Sequence, residues 1–266
     1  MAVRKSQKSG QLDEYNAKRD FKKSPEPEGR KASEHKTAQL IFCVQKHLAS
    51  HLHYDFRLEH NGTLLSWAVP KGPSLNPKDK RLAMRVEDHP RDYADFEGVI
   101  PEGYGAGIVM LWDKGTWRPE PGFENVDAAL EAGELKFHVD GVKLKGSWVL
   151  IRTQSDGYPD GRTWLLIKHR DEWAGNVDVA EAAPESVKSF GDFASILADD
   201  QAKIWPSHRP GKGGATGKML EEIIERAAKL KLATKTGRSK SAKRRPAKRP
   251  AATVRKRGKK SVSRPA

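Results

Sequence analysis

A two-residue periodicity over residues 52–59 constrains the fold of this 266-residue chain more than any other feature. Apolar residues alternate there with His53, Asp55 and Arg57, as in a β-strand that has one buried face and one polar face. The dipeptide Asn61-Gly62 follows and favours a tight hairpin turn into the next alternating stretch. The pattern therefore predicts an antiparallel hairpin with ionisable side chains on its polar face.

Similar strand-like stretches, separated by turn residues, fill the chain from residue 39 to residue 169. We predict strands over 39–45, 52–60, 63–69, 81–87, 95–100, 107–112, 134–139, 147–153 and 163–169, and short helices over 12–21 and 126–132. Many short strands joined by tight turns are typical of an antiparallel barrel or sandwich. The predicted fold class is therefore mainly β, with one core domain over residues 12–175.

Positive charge is concentrated in the C-terminal quarter of the chain. Residues 201–266 carry 21 Lys and Arg against three acidic residues, whereas residues 1–200 carry 28 basic and 32 acidic residues. We predict a disordered arm over 1–11, a linker with a possible amphipathic helix over 176–230, and a disordered Lys/Arg-rich tail over 231–266. Nucleic acid is the favoured partner of such a tail; the alternative is a solubilising extension.

Several classes of protein are excluded by what the sequence lacks. No run of 18 apolar residues is present and the N-terminus has no apolar signal core, so we expect neither a membrane span nor secretion. The single cysteine, Cys43, cannot form an internal disulfide and lies in an apolar run, which is typical of a buried, inert thiol. These features predict a reducing, cytoplasmic location.

The first hairpin also carries residues with the chemistry of a metal site. Side chains two positions apart on one strand face lie about 6.5–7 Å apart, so His53 and Asp55 can converge on one ion while Arg57 meets what the ion binds. His47 lies one short loop upstream and can fold back as a third ligand. Two imidazoles and a carboxylate form a known arrangement for a catalytic divalent metal. The alternative is an exposed polar strand face, and His51 is a reminder that not every histidine here need be a ligand.

A second stretch of polar residues could face the same cavity. Arg81, Arg85, Glu87 and His89 share one parity on the predicted strand at 81–87 and just beyond it. An arginine fork binds two phosphate oxygens at once, and His89 could stabilise or protonate a departing oxygen. Surface salt bridges are the alternative for Arg85 and Glu87.

Three nearby features each have two interpretations. Tyr93 is either a packed aromatic or a site residue, and Lys71 faces either a phosphate or solvent. The sequence GYGAG at 103–107 lacks the strand, the helix and the Lys-Ser/Thr pair of a phosphate-binding loop. We therefore predict a turn between strands at that position.

A long continuous motif resembles the 3′-phosphoesterase domain of bacterial DNA ligase D. It runs through QKHLASHLHYDFRLEHNGTLLSWAVPKGPS and KRLAMRVEDHPRDYADFEGVIPEG, and the likeness extends to YNAKRDFKKSPEPEG upstream and WLLIKHRDEWA downstream. Residues 12–175 are covered. One departure is a loop in which the family usually has one more residue between Gly103 and Tyr104.

This resemblance implies a compact antiparallel β-barrel with short flanking helices and a manganese-dependent enzyme. Such enzymes remove 3′-terminal ribonucleosides and 3′-phosphates from primer strands at breaks repaired by non-homologous end joining. The metal ligands carry over onto His47, His53 and Asp55. Catalytic roles carry over onto Arg57, Glu87, His89 and Tyr93, and phosphate- or DNA-binding roles onto Arg19, Asp20, Glu26, Gln45, Lys71 and Arg81.

The resemblance is to a stand-alone form, since no polymerase or ligase motif is found. By family analogy, we expect DNA 3′ ends, a Ku-like end binder and a separate DNA ligase as partners in a bacterial cytoplasm, near the nucleoid. One alternative is a DNA-end-binding adaptor with an inactive site. Another is a sugar- or nucleotide-binding barrel, which the basic tail disfavours.

Overall fold

The computed structural model describes residues 10–29, 39–153, 161–199 and 215–241. Nine strands form one sheet: β1 (Leu40–Leu48), β2 (Leu52–His60), β3 (Thr63–Val69), β4 (Arg81–Pro90), β5 (Gly98–Ile100), β6 (Gly107–Pro119), β7 (Glu134–Gly141), β8 (Lys145–Arg152) and β9 (Thr163–Lys168). The helices are α1 (Asp13–Ala17), α2 (Val126–Ala132), α3 (Val179–Ala182), α4 (Phe193–Asp199) and α5 (Ala215–Ser241), and a 3₁₀ turn covers Arg91–Asp95.

The sheet closes on itself. Its strand order is β1-β2-β3-β4-β9-β8-β7-β6, and β6 pairs back onto β1. The short strand β5 pairs with residues 107–109 of β6, before the part of β6 that pairs with β7. Every pairing is antiparallel. The prediction of a mainly β, antiparallel barrel is confirmed, and the sandwich alternative is excluded because closure leaves a single continuous sheet.

Local sequence explains the elements that matched the prediction most closely. Strands β2 and β3 have the predicted bounds, and the turn between them places Asn61 at φ 50° and Gly62 at φ 77°. Two positive φ values in a row are what a type I′ turn requires, which is why an Asn-Gly pair joins this hairpin. Strand β5 is shorter than predicted because the 3₁₀ turn occupies the preceding residues.

Both walls of the barrel are buried over part of the sheet. The interior is filled by large side chains such as Trp67, Trp148 and Phe56. On the outer wall, Tyr15 of α1 and Tyr93 of the 3₁₀ turn pack against Cys43 and other residues of β1, β3 and β6. Polar side chains on that outer wall therefore lie under a cover of protein rather than in open solvent.

Helices after the last strand also pack on the barrel. Val179, Phe193 and Ile196 join the core cluster, as do Ile223 and Ala227 of α5. The packed part of the chain thus extends past residue 175, where the sequence placed the end of the domain. No helix in the described ranges is long and apolar enough to cross a bilayer.

The region of the predicted basic tail is helical at its start. The chain divides into units of residues 1–231 and 232–266, and α5 continues to Ser241, so residues 231–241 are helical where disorder was expected. Residues 1–9 and 242–266, where the disordered arm and most of the tail were predicted, lie outside the described residues.

Candidate metal centre

A cavity of about 910 Å³ opens on the outer wall of the barrel. The polar faces of β1, β2 and β4 line it, together with the segment before β1, the 3₁₀ turn and the loop at 101–106. Nine residues of the predicted site line this cavity: Arg19, Glu26, His47, His53, Asp55, Arg57, Glu87, His89 and Tyr93. Polar side chains of separate strands thus converge on one space.

Pairing between β1 and β2 brings three possible metal ligands together. His47 lies directly opposite His53 in the register, and Asp55 is the next residue on the same face of β2. One donor atom from each of these residues lies within 4.8 Å of the other two. We call His47, His53 and Asp55 the metal trio.

Backbone contacts fix the imidazole tautomers of the trio. His47 Nε2 lies 2.9 Å from the carbonyl oxygen of Gly105, and His53 Nδ1 lies 3.0 Å from that of His51. A carbonyl oxygen only accepts, so each of these nitrogens carries the proton and donates. The lone pairs of His47 Nδ1 and His53 Nε2 are therefore both free, and a backbone carbonyl orients each ring as in many metal sites.

The free lone pairs face the carboxylate of the third residue. His47 Nδ1 lies 3.7 Å from one Asp55 oxygen and His53 Nε2 lies 3.6 Å from the other. These distances are too long for hydrogen bonds, but they suit ligands that share one ion at bonds of about 2.0–2.2 Å. The donor set fits Mn²⁺, Fe²⁺ or Zn²⁺.

Asp55 is held in its anionic form. Burial alone would raise the pKa of Asp55, but the adjacent Arg57 guanidinium holds that pKa well below its usual range. Arg57 Nη2 donates to Asp55 Oδ2 at 3.1 Å. The trio thus presents an ionised carboxylate beside two imidazole lone pairs.

Arg57 is positioned by two further buried side chains. Its Nε donates to Gln45 Oε1 at 2.8 Å and its Nη1 donates to Ser66 Oγ at 2.7 Å. Gln45 is itself held by the carbonyl oxygens of Tyr93 and Phe96. Within the described part of the chain, three of the five guanidinium N–H groups are used in this way, which leaves two that can reach an anion in the cavity.

The opposite side of the cavity is built around Arg19. Its guanidinium donates to Glu26 at 2.8 Å and to Glu87 at 3.3 Å, and it lies 3.8 Å from the ring centre of Tyr15. Tyr93 donates its hydroxyl proton to the same Glu26 oxygen at 3.0 Å. We call Arg19, Glu26, Glu87, His89 and Tyr93 the arginine network.

His89 belongs to this network as a neutral acceptor. Arg19 Nη2 lies 3.2 Å from His89 Nε2, and an arginine nitrogen can only donate, so Nε2 carries no proton. The proton lies on Nδ1, which donates to the carbonyl oxygen of Glu87 at 2.9 Å. Burial and the charges of Arg57 and Arg19 hold the pKa of His89 well below its usual range. To act as an acid, His89 would first have to lose its hydrogen bond from Arg19 and take up a proton on Nε2.

Comparison with known proteins assigns a domain of this chain to a family. Residues 45–152 match the family model of the DNA ligase D 3′-phosphoesterase domain. The chain carries a domain of this phosphoesterase family. It is 49% identical over 223 residues, or 82% of its length, to the multifunctional non-homologous end joining protein LigD of Pseudomonas aeruginosa. The predicted resemblance is confirmed.

Relatives from other bacteria give the same result at lower identity. The LigD protein of Mycobacterium tuberculosis is 42% identical over 198 residues, which are 72% of this chain and 24% of the relative. The LigD protein of Mycolicibacterium smegmatis is 36% identical over 207 residues, 73% of this chain and 24% of the relative. The chain spans about a quarter of the length of the curated relatives it matches, including 26% of the Pseudomonas protein.

Four predicted residues of this phosphoesterase domain lie outside the main cavity. Gln45 stands behind Arg57, Asp20 is exposed and lines a smaller neighbouring cavity, and Lys71 is exposed in the turn after β3. Arg81 donates to Asp79 at 3.1 Å instead. Their predicted phosphate- or DNA-binding roles therefore have no support from direct contact with this cavity.

A β-bulge in β4 explains why His89 lines the cavity and Arg81 does not. Leu64 of β3 pairs with His89 and Ser66 pairs with Val86, so two residues of β4 oppose one residue of β3. Before the bulge, the parity of Arg81 is that of Ala83, which belongs to the barrel core. After it, Glu87 and His89 face the outer cavity. The single parity predicted for residues 81–89 was therefore wrong.

The loop at 101–106 contributes more to the site than the predicted turn. Its carbonyl at Gly105 accepts the proton of His47, and Glu102 and Tyr104 line the cavity. Gly103 at φ 91° and Gly105 at φ 76° adopt left-handed conformations that favour glycine. The two glycines around an aromatic residue were the available signal. Ser66, which holds Arg57, gave no signal beyond its position on the polar face of β3.

Proposed function

We propose that this chain is a divalent-metal-dependent phosphoesterase that heals DNA 3′ ends. It removes 3′-terminal ribonucleosides and 3′-phosphates and leaves the 3′-hydroxyl ends that non-homologous end joining requires. One observation carries the proposal: two histidine lone pairs and an ionised carboxylate converge beside an arginine that has N–H groups to spare. This combination can hold a metal and a phosphoryl group side by side.

Each group in the cavity has a distinct task under this proposal. The metal trio holds the ion, for which we propose Mn²⁺; a bound divalent ion supplies Lewis-acid stabilisation of a phosphoryl oxygen. Arg57 donates to the nonbridging oxygens and stabilises charge that develops on them. Gln45 and Ser66 keep Arg57 aimed at that position. The arginine network holds His89 neutral at the edge of the same space.

DNA ends are the proposed substrate because family membership and charge agree. The relatives are named as multifunctional non-homologous end joining proteins, and residues 201–266 carry a large excess of Lys and Arg that would attract a polyanion. A Ku-like end binder, a DNA ligase and a location at the nucleoid form part of the same proposal. The adaptor alternative predicts an incomplete ligand set, whereas all three members of the trio are in place with compatible tautomers.

An end-processing assay tests the proposal. The substrates are a primer–template with one 3′-terminal ribonucleotide and a matched primer with a 3′-phosphate, each incubated with Mn²⁺, Mg²⁺, Zn²⁺ or EDTA. We expect metal-dependent conversion of both to 3′-hydroxyl ends, and loss of that activity in His47→Ala.

His51→Ala is the matched control, because His51 lies in the same hairpin turn with an exposed side chain and contributes only its backbone carbonyl to the site. It should behave as the wild type. Tight, salt-sensitive DNA binding without turnover under any metal would favour the adaptor instead.

A further inference from the structure

An exposed aromatic ring stands between two cavities beside the metal trio. Tyr104 retains 50% of its exposure and lines both the 910 Å³ cavity and a second cavity of about 470 Å³. The smaller cavity is also lined by Lys18, Lys23 and other residues of the segment that carries Arg19. An aromatic ring is thus presented where the cavity that holds the trio meets a wall of charged side chains of both signs.

Cations hold the ring in this position. Lys18 Nζ lies 4.8 Å from the centre of the Tyr104 ring, and the guanidinium carbon of Arg19 lies 5.7 Å from it. Lys18 is itself fixed by Glu14 at 2.7 Å and by Glu87 at 3.1 Å. Cations over an aromatic ring are attracted to its π face, so Tyr104 is oriented without being covered.

The backbone of the loop ties the ring to the metal trio. Gly105 follows Tyr104 directly, and its carbonyl oxygen accepts the His47 proton at 2.9 Å. Consecutive Cα atoms are about 3.8 Å apart, so the ring is one residue removed from a contact of the trio. Tyr104 and Arg57 line the same cavity, which is large enough for a nucleotide, so a nucleoside attached to a phosphate at Arg57 would share that space with the Tyr104 ring.

We propose that Tyr104 is a stacking platform for the nucleobase of the 3′-terminal nucleotide. The platform accepts any base, because every base offers a π face to an aromatic side chain. It gives the enzyme a preference for nucleotide 3′-phosphates over phosphate monoesters that lack a base. This inference rests on the proposed function and deepens it by assigning a residue that recognises the base rather than the phosphate.

Paired substrates test the platform. One primer–template ends in a 3′-phosphorylated nucleotide and the other ends in a 3′-phosphorylated abasic residue, and both are assayed with the wild type, Tyr104→Ala and Tyr104→Phe. We expect Tyr104→Ala to raise KM about tenfold on the base-bearing end, with little change on the abasic end. Tyr104→Phe keeps the ring and should retain the wild-type preference. Equal losses on both ends, or none on either, would overturn the platform.

A binding measurement separates this inference from the proposed function. Fluorescence anisotropy gives the Kd of both primers in EDTA, where no turnover occurs. A preference for the base-bearing end that Tyr104→Ala abolishes supports the platform even if the wild type hydrolyses neither primer, in which case the proposed function alone fails. The absence of any such preference in the wild type would overturn the platform whether or not the enzyme turns over.

Discussion

The two sides of the outer cavity are built on opposite principles. In the metal trio, the contacts orient each side chain but leave two imidazole lone pairs and a carboxylate facing a common point. In the arginine network, the side chains contact one another: Arg19 donates to the carboxylates of Glu26 and Glu87 and to the neutral imidazole of His89. The difference indicates that the metal trio is arranged to bind a ligand, whereas the arginine network is arranged to stabilise the fold around it.

The energetics of the two sides should differ accordingly. Removing one partner from a buried ion pair leaves an uncompensated charge and is strongly destabilising. Removing one of the two histidine ligands from a metal site that holds no ion leaves no such charge behind, so the larger part of its cost to stability arises when the ion is bound. Substitutions in the metal trio should therefore mainly reduce activity, and substitutions in the arginine network should mainly reduce stability.

The largest expected effect is on catalysis in the metal trio. We expect His47→Ala to lower turnover about a thousand-fold, since the Lewis-acid contribution of the ion is lost with its ligand. The metal-free protein should unfold within a few degrees of the wild type, while the rise in Tm caused by Mn²⁺ should disappear. Thermal denaturation with and without Mn²⁺ measures both. A large loss of stability in the metal-free variant would contradict the claim that the two sides of the cavity have different roles.

The largest expected effect on stability lies in the arginine network. Arg19→Met leaves the buried carboxylates of Glu26 and Glu87 without this cation and should lower the free energy of unfolding by about 3 kcal/mol. Urea denaturation of the metal-free protein measures this change. Lys145→Met, which breaks an exposed pair with Asp140, serves as a control and should cost much less stability than Arg19→Met. A cost for Arg19→Met no greater than that of the control would contradict the assignment.

Arg57 lies at the boundary between the two sides, and Ser66 tests how it is held there. Ser66→Ala removes one of three contacts on the guanidinium and should lower kcat/KM about tenfold. Steady-state kinetics measures kcat/KM. The rise in Tm with Mn²⁺ should persist, because the metal trio itself is untouched. Ser74→Ala is the control, since Ser74 bonds Asp79 and does not line the cavity. Unchanged kinetics in Ser66→Ala would show that Gln45 and Asp55 suffice.

The smallest expected effect is a pH dependence in the arginine network. The folded state holds the pKa of His89 below its ordinary value of about 6.5, so the unfolded chain binds a proton there that the folded protein refuses. The contribution of His89 to the free energy of unfolding is therefore most favourable above about pH 6.5 and decreases as the pH falls below that value.

Urea denaturation across this range should show a weaker pH dependence in His89→Gln than in the wild type. His138→Gln provides the control, because His138 lies on β7 and does not line the cavity. An equal pH dependence in wild type and His89→Gln would place the acid sensitivity elsewhere in the chain.

Period-two alternation was sufficient to predict the hairpin and the grouping of its polar side chains. His53, Asp55 and Arg57 share one face because β2 is regular, and His47 meets them because the turn is short. Alternation could not show that this polar face is covered, since the residues that cover the outer wall belong to α1 and the 3₁₀ turn, outside the hairpin. It also could not show which contacts fix the tautomers, because the partners are backbone carbonyls.

The remaining differences arise from tertiary packing. Arg19 reaches the cavity because α1 packs on the outer wall through Tyr15, a contact between residues far apart in the sequence. The helices after residue 175 bury only a few side chains each, so their short apolar patterns resembled a linker. Ser66 and Gln45 act through Arg57, and nothing in the local sequence distinguishes such supporting residues from ordinary strand residues.

Because of the bulge in β4, the number of residues in this strand determines which side chains reach the cavity. Deleting one residue at Glu87–Asp88 would leave almost the same amino acids in almost the same order, yet it would restore a regular ladder with β3 and turn one of the flanking parities over. Either His89 would leave the cavity or the core residue Ala83 would leave the barrel. Insertions and deletions within this strand are therefore more informative about inherited function than substitutions there, because a single missing residue can remove Glu87 and His89 from the cavity together.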